Sequence, residues 1–177
     1  EHGIRATFYA SPANMKGRTA AWRRVARSGH EIGNHTLVHP CSGNFTWSRG
    51  PRALEAYTLA KMERELRSAN AFLHRTTGVT PRSFAYPCGQ TFVGMGGAYR
   101  SYVPLISRLF AAGRGFLFEI HNHPAYCELG HLAGINGDGY TLPQYMARLD
   151  AALADGGWVI FCGHDIRNDH GYQTTRT

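Results

Sequence analysis

Apolar positions along the chain follow two spacings that predict alternating strands and helices. Short apolar stretches typical of buried strands occupy residues 4–10, 83–87, 115–120 and 157–162. Apolar residues three and four positions apart predict amphipathic helices over residues 17–28, 53–75, 102–112 and 143–154. Strands that alternate with helices through short connections favour parallel pairing and an α/β fold. The pattern accounts for about four or five β/α units, too few for a closed eight-unit barrel.

Length and composition indicate one globular domain. The chain has 177 residues, of which 43% are apolar and 18% are charged. This balance argues against intrinsic disorder and against a membrane protein, and the longest apolar runs are too short to span a bilayer as a helix. We therefore predict a single domain over residues 1–177.

The chain is basic, with a formal net charge of +7 and a sequence pI of about 9.5. A polyanionic partner therefore has to be considered. The basic residues are scattered, however, and Arg64 and Arg67 share a predicted helix with Glu63 and Glu65. Interleaved charges of this kind are typical of solvated helix faces, so we predict no nucleic-acid partner.

Two histidines four residues apart are the strongest chemical signal. His35 and His39 follow the first predicted helix, and Gly33 and Pro40 bracket them as turn residues. In one helical turn, or a tight turn of similar pitch, side chains at this spacing lie on the same side. Two imidazoles can then bind one divalent ion, as they do for zinc. An imidazole pair alone is a weak signal, and the alternative is a pair of ordinary polar turn residues.

Three segments, in the expected order, resemble the polysaccharide deacetylase (NodB-homology) domain of the carbohydrate esterases, family 4. The first is Gly-His-Glu-Ile-Gly-Asn-His-Thr-x-x-His, ending at His39, which fits the family's His-Ser/Thr-x-x-His metal signature. The segment 83–89 is similar to the family's third motif, and the segment 158–164 to its late strand that ends in a catalytic histidine. The resemblance implies a distorted or incomplete (β/α) barrel and a metal-dependent hydrolase that removes acetyl groups from a polysaccharide.

The resemblance also implies roles for individual residues. His35 and His39 would bind the divalent metal, with zinc as the first expectation and cobalt or nickel as alternatives. His164 would act as the general acid, a role suited to an imidazole. The backbone N–H of Cys88 would stabilise the oxyanion, which any side chain at that position permits.

The third motif departs from the family's usual Arg-Pro-Pro-Tyr/Phe-Gly, because Ala85 takes the arginine position. Tyr86 and Pro87 would contact the substrate, which the resemblance implies to be an acetylated polysaccharide or oligosaccharide, either an N-acetylglucosamine polymer or acetylated xylan. Arg82 could replace the missing cation, although a surface arginine flanking the strand is the favoured interpretation.

The family's Thr-Phe-Asp-Asp segment, which supplies a base and the third metal ligand, is absent from the front of the sequence. Glu1 is the only acid near the front. The acids considered elsewhere do not match the Asp-Asp segment either: Glu31, Glu119, Glu128, Asp138, Asp165 and Asp169. We therefore expect a domain truncated at both ends, and a catalytically inactive, glycan-binding or fragmentary domain is the alternative to an enzyme. A weaker alternative is an unrelated metal-dependent α/β-barrel hydrolase that uses His121 and His123, which we otherwise expect to be exposed.

Four cysteines, at positions 41, 88, 127 and 162, show no C-x-x-C spacing, which argues against a structural zinc knuckle. The family-like fold would bring Cys41 and Cys88 to one rim, either as a disulfide or as two free thiols, and buried inert thiols are the alternative. We find no signal peptide in the sequence. An extracellular or cell-envelope location stays open, as does the oligomeric state.

Overall fold

The computed structural model describes residues 3–164 and divides into two compact units, residues 1–113 and residues 114–177. The described range contains both strands and helices, as predicted, although they do not alternate strictly. Within this range no helix has both the length and the apolar character needed to cross a membrane. The single domain over residues 1–177 stays a prediction.

The first unit contains most of the regular structure. Its helices are α1 (Pro12–Met15), α2 (Thr19–Arg27), α3 (Leu59–Thr77) and α4 (Val103–Leu109). Its strands are β1 (Thr7–Ala10), β2 (Glu31–Asn34), β3 (Ser83–Ala85), β4 (Phe92–Val93) and β5 (Arg100–Ser101), with β6 (Ala112–Arg114) at the unit boundary. The described part of the second unit contains β7 (Ile135–Asn136), α5 (Leu142–Ala154) and β8 (Phe161–Cys162).

The main sheet has the strand order β1-β2-β3-β6. β1 and β2 pair in parallel with Ala10 opposite Asn34, and β2 and β3 pair in parallel with Asn34 opposite Phe84. The predicted parallel α/β arrangement is therefore confirmed. Because the strands are parallel, the loops that follow β2 and β3 leave the same edge of the sheet.

Helix α3 forms because its local signals agree with its packing. The Thr58 side chain caps its first turn by accepting from the Lys61 N–H, and Gly78 ends it in the left-handed conformation. Its inward stripe is fully buried and consists of Met62, Leu66, Ala69 and Leu73. Aromatic rings at and beyond β3 complete the core, with Phe84 stacked on Phe110 at 5.5 Å between centroids.

Several predicted boundaries were wrong for identifiable reasons. Helix α3 begins at Leu59 and not at Ala53, because the preceding residues form 3₁₀ turns. The strand predicted over residues 115–120 lies instead at 112–114, and Leu117 with a φ of 65° interrupts any extension. Strand β2 escaped prediction because its sequence, Glu-Ile-Gly-Asn, has only one strongly apolar side chain.

Candidate metal centre

The structure brings His35 and His39 together in the loop that follows β2. Their ring centroids are 4.7 Å apart and the rings meet edge to face. The loop is not helical, since Thr36 and His39 have φ values of 61° and 53°. Left-handed backbone at non-glycine residues is strained and concentrates at functional sites, so this loop holds the two imidazoles in a costly but defined arrangement.

The orientation of His35 is set by the next strand. Its Nδ1 lies 2.8 Å from the carbonyl oxygen of Ala85, the last residue of β3. Because a carbonyl only accepts hydrogen bonds, this contact requires a proton on Nδ1 and places the ring's lone pair on Nε2. Metal-binding histidines commonly show this pattern, in which the second ring nitrogen donates to a backbone carbonyl.

Asn34 fixes the loop from inside the core. Its side chain is fully buried and donates to the Leu66 carbonyl at 3.0 Å and to the Asn70 side chain at 2.7 Å. Its Oδ1 accepts from the Thr36 N–H at 2.8 Å, and the Thr36 hydroxyl accepts from the His39 N–H at 3.0 Å. A chain of hydrogen bonds therefore runs from α3 to the backbone of the second histidine.

Glu65 of α3 also holds this loop. One carboxylate oxygen accepts from the N–H groups of Leu37 and Val38, at 3.0 and 2.9 Å. The sequence interpretation of Glu65 as part of a solvated helix face was wrong, although Glu63 does form an exposed pair with Arg67. The sequence held a weak indication of this role, because Glu65 is adjacent to Leu66 of the apolar stripe.

We expect Glu65→Ala to weaken zinc binding by about 10- to 100-fold, the range seen when a residue supporting a metal ligand is lost. The loop between the two histidines would lose its anchor on α3 while both imidazoles remain. Isothermal titration with zinc measures the effect. Glu63→Ala is the matched control on the same helix and should leave the affinity unchanged, because exposed ion pairs contribute little. Equal losses in the two variants would contradict the role of Glu65.

The loop after β3 is tied to the histidine loop by a disulfide between Cys41 and Cys88, whose Cα atoms are 6.1 Å apart. Of the alternatives for these cysteines, the structure therefore contains the disulfide. Cys88 has a φ of 54°, and the tight turn around it closes with the Gly89 N–H donating to the Tyr86 carbonyl at 3.0 Å. The oxyanion role of the Cys88 N–H stays a prediction.

The two residues expected to contact substrate, Tyr86 and Pro87, flank the Cys88 turn on its amino-terminal side. Both are buried, and the ring of Tyr86, 1% exposed, packs against Phe84 and Tyr102 in the core. Their contact with a substrate stays a prediction.

Glu55 organises the segment that follows the disulfide cysteine. Its carboxylate accepts from the Ser42 hydroxyl at 2.6 Å and from the Gly43 N–H at 2.9 Å. Burial raises the pKa of Glu55, but these hydrogen bonds outweigh that effect, so its pKa lies below the ordinary value of 4.5. The charged carboxylate therefore stabilises the folded chain.

We expect Glu55→Gln to lower the melting temperature near neutral pH but not in acid. A folded-state pKa below the unfolded value gives stability that is present above pH 4.5 and is lost as the pH falls through the folded-state pKa. Thermal unfolding of both proteins at about pH 7 and about pH 3 tests this. The difference in melting temperature between wild type and Glu55→Gln should be smaller at the acid pH. Glu119→Gln, at an exposed position, is the control, and a difference independent of pH would refute the carboxylate's role.

Arg82 lies at the opposite end of β3 from Cys88. With Glu31 and Ser83 it lines a cleft of about 410 Å³ at the amino ends of the strands. Arg82 is exposed, as the favoured interpretation of a surface arginine predicts. The cleft is therefore separate from the histidine loop, which leaves the carboxyl ends.

In the second unit, His164 is paired with an acid that the sequence interpretation had set aside. Its Nδ1 lies 2.5 Å from one Asp138 oxygen, and its backbone N–H donates to the other at 3.0 Å. The Asp138 side chain is 5% exposed and that of His164 is 51% exposed. The acid fixes the orientation of a half-exposed imidazole through its Nδ1, as the partner of a catalytic histidine can do. The register explains the pairing, since Asn136 lies opposite Cys162 and each partner follows two residues later.

His121 and His123 do not form a metal cluster with each other in the described chain. His121 Nε2 lies 2.8 Å from Asp155, whose pKa is lowered chiefly by that hydrogen bond. His123 Nδ1 accepts from the Ala125 N–H at 3.1 Å. Both rings have local partners that account for their positions.

The donor set around His35 and His39 fits two ligand positions of a zinc-type ion, because both donors are imidazoles and one has its tautomer fixed. Among residues 3–164, no carboxylate joins the pair within metal-binding reach. Within the same range, one group of three side chains has its potential ligand atoms within 4.8 Å of one another, namely His39, Cys41 and Cys88. Glu1, Asp165 and Asp169 lie outside the described residues.

Comparison with known proteins gives a consistent pattern. A family model described as polysaccharide deacetylase matches residues 1–102. A chitooligosaccharide deacetylase of Sinorhizobium fredii (strain NBRC 101917 / NGR234) is 45% identical over 40 residues, which cover 23% of this chain and 19% of that enzyme. The matched segments span less than a quarter of the curated relatives' own length.

Two solved structures share the fold. One is a family 4 acetyl xylan esterase from Clostridium thermocellum in complex with a cobalt ion, with a TM-score of 0.54 at 18% identity. The superposition covers 96% of this chain and 64% of the esterase chain. A Streptococcus pyogenes deacetylase in complex with acetate has a TM-score of 0.52 at 16% identity, with coverages of 74% and 52%. At these identities the likeness shows the fold alone, and it confirms the predicted α/β fold.

Proposed function

The chain belongs to the polysaccharide deacetylase family, and on that premise we propose that it takes part in metal-dependent removal of acetyl groups from a polysaccharide. The observation that carries the proposal is the imidazole pair of His35 and His39, with the tautomer of His35 fixed by Ala85. A divalent ion bound there would activate a water and polarise the acetyl carbonyl. Zinc is the first candidate for imidazole donors, with cobalt or nickel as alternatives.

The chain's own residues would supply the remaining steps. The Cys88 N–H would donate a hydrogen bond to the carbonyl oxygen as negative charge develops on it. His164, held through Nδ1 by Asp138, would present Nε2 to protonate the departing amine or alcohol. Asp138 does not touch the substrate in this proposal and acts by positioning the imidazole.

An aromatic surface next to His39 suits a sugar ring. Phe45 and Trp47 are 42% and 52% exposed, their centroids are 5.5 Å apart, and the Trp47 ring lies 5.8 Å from that of His39. Ser48 fixes this segment by hydrogen bonds to both the N–H and the carbonyl of Cys41. Because sugar rings have apolar faces, an exposed aromatic pair beside the metal ligands supports a carbohydrate substrate.

We expect Trp47→Ala to weaken binding of an N-acetylglucosamine oligomer by about tenfold, equivalent to about 1.4 kcal/mol, because an apolar stacking face is lost. Equilibrium titration with the oligomer measures it. Trp158→Ala, in the second unit, is the control for removal of an indole. Unchanged affinity in Trp47→Ala would show that the substrate does not use this surface.

The proposed activity is tested by acetate release. The chain is incubated with N-acetylglucosamine oligomers and with acetylated xylan fragments after chelation and after reloading with zinc or cobalt. We expect release that disappears on chelation and returns with the metal. Release that is insensitive to chelation would overturn the metal-dependent mechanism, and the better substrate would identify the sugar.

The second candidate function is glycan binding without catalysis. The observation in its favour is that no carboxylate among residues 3–164 completes the ligand set of the imidazole pair. Titration with the same oligomers separates the two candidates, because saturable binding without acetate release in the metal-loaded chain supports binding alone.

A further inference from the structure

The disulfide lies against one of the candidate metal ligands. The Nδ1 of His39 is 3.7 Å from the sulfur of Cys41, and the ligand atoms of His39, Cys41 and Cys88 all lie within 4.8 Å of one another. Cys41 is fully buried, while Cys88 and His39 are half-buried. Two sulfurs and one ring nitrogen therefore converge at a site that shares His39 with the His35–His39 pair.

The spacing of these atoms suits a tetrahedral ion. Zinc–sulfur bonds of about 2.3 Å and zinc–nitrogen bonds of about 2.0–2.1 Å place neighbouring ligand atoms about 3.6 Å apart. The distance between Cys41 Sγ and His39 Nδ1 already has this value within about 0.1 Å. The two sulfurs are bonded to each other in the structure, so they have to separate before both can bind one ion.

We propose that reduction of the Cys41–Cys88 disulfide creates a second metal site, formed by both thiolates and the Nδ1 of His39, that binds a thiophilic divalent cation such as zinc. A dithiol reductant breaks the S–S bond, is itself oxidised to a disulfide, and transfers its two protons and two electrons to yield two cysteine thiols. Each thiol releases one proton as its sulfur binds the ion. The fourth position is open to water.

Binding at this site competes with binding at the imidazole pair. A neutral imidazole has one lone pair, on either Nδ1 or Nε2. When Nδ1 of His39 binds the thiolate-held ion, Nε2 carries the proton and cannot bind a second cation. The disulfide thus keeps His39 available to His35, and reduction withdraws it. This consequence rests on the proposed function, whereas the thiolate site itself does not.

Cobalt provides a direct test, because thiolate-bound Co²⁺ absorbs in the near ultraviolet and imidazole-bound Co²⁺ does not. The full chain carrying Cys127→Ala and Cys162→Ala, which removes the two free cysteines, is titrated with Co²⁺ before and after dithiol reduction. We expect the thiolate band only after reduction, saturating at one ion per chain. The same chain with Cys41→Ser and Cys88→Ser should show no band in either state.

A second variant tests the imidazole. In the reduced protein, His39→Ala should lower the affinity for Co²⁺ by at least about tenfold, while His74→Ala, an exposed histidine at the end of α3, should not. Absence of the band in reduced protein would overturn the proposal, whether the far-ultraviolet circular dichroism is retained or lost. Acetate release by the oxidised chain is measured separately, so failure here does not bear on the proposed activity.

Discussion

Replacing His35 with alanine is expected to weaken zinc or cobalt binding by at least about 100-fold. This change removes one of the two proposed protein ligands, which should cost more than the 10- to 100-fold loss typical of a supporting residue. The remaining imidazole, His39, would hold the ion alone, and single imidazoles bind weakly at micromolar concentrations. Competition with a chromophoric chelator measures the affinity in the oxidised chain. Acetate release should fall in parallel, because the metal would activate the water.

The matched control for His35→Ala is His74→Ala. His74 is exposed at the end of α3, where its Nδ1 contacts the Thr80 hydroxyl at 3.1 Å. It tests whether loss of any histidine lowers metal uptake by a basic protein. If His35→Ala bound zinc as tightly as wild type, or if both variants lost affinity equally, the imidazole pair would not be the metal site.

Replacing His164 with alanine is expected to lower kcat for acetate release by about 10²- to 10⁴-fold, the usual contribution of a general acid. Metal affinity should be unchanged, because His164 is not among the proposed ligands. Steady-state kinetics of the metal-loaded chain measures the effect. A fall in metal affinity comparable to that of His35→Ala would assign His164 to a different role.

The partner of His164 gives a more specific result. Asp138→Asn keeps the size of the side chain but removes the charged carboxylate that accepts a hydrogen bond from the Nδ1–H of His164. The imidazole then loses its fixed tautomer. We expect kcat to fall while KM stays constant, and the ¹⁵N shifts of His164 to change. Asp150→Asn, at an exposed position of α5, should alter neither quantity. Wild-type shifts in Asp138→Asn would contradict the positioning role.

Long periodic helices could be predicted from the sequence, whereas short strands could be predicted only where an apolar run marked them. Helices α3 and α5 follow apolar residues at helical spacing and carry clear end signals, including the Thr141–Gln144 capping box. Strands β1, β3 and β8 lie within the apolar runs 4–10, 83–87 and 157–162, whereas β7 has two residues, too few for a period of two to be visible. The fold was therefore predicted from its helices, its apolar runs and the order of its motifs.

The same contrast holds for the candidate site. The closeness of His35 and His39 could be predicted because their spacing is local and chemically distinctive; their binding of a metal stays a prediction. Glu65 and Asp138 were missed because each is separated by more than twenty residues from the groups it contacts, and an isolated carboxylate has no local pattern. The burial of the Tyr86 ring in the core could not be predicted either, because its place within a motif does not reveal where the ring points.

The most direct test of the imidazole pair is anomalous scattering from a crystal of the oxidised chain grown with zinc. We expect one peak at coordination distance from Nε2 of His35 and from a ring nitrogen of His39. Nδ1 of His35 should still donate its hydrogen bond to the Ala85 carbonyl. Diffraction recorded on both sides of the zinc absorption edge identifies the element. A well-ordered loop without a peak there, or a peak only at other residues, would contradict the metal site and with it the proposed deacetylase mechanism.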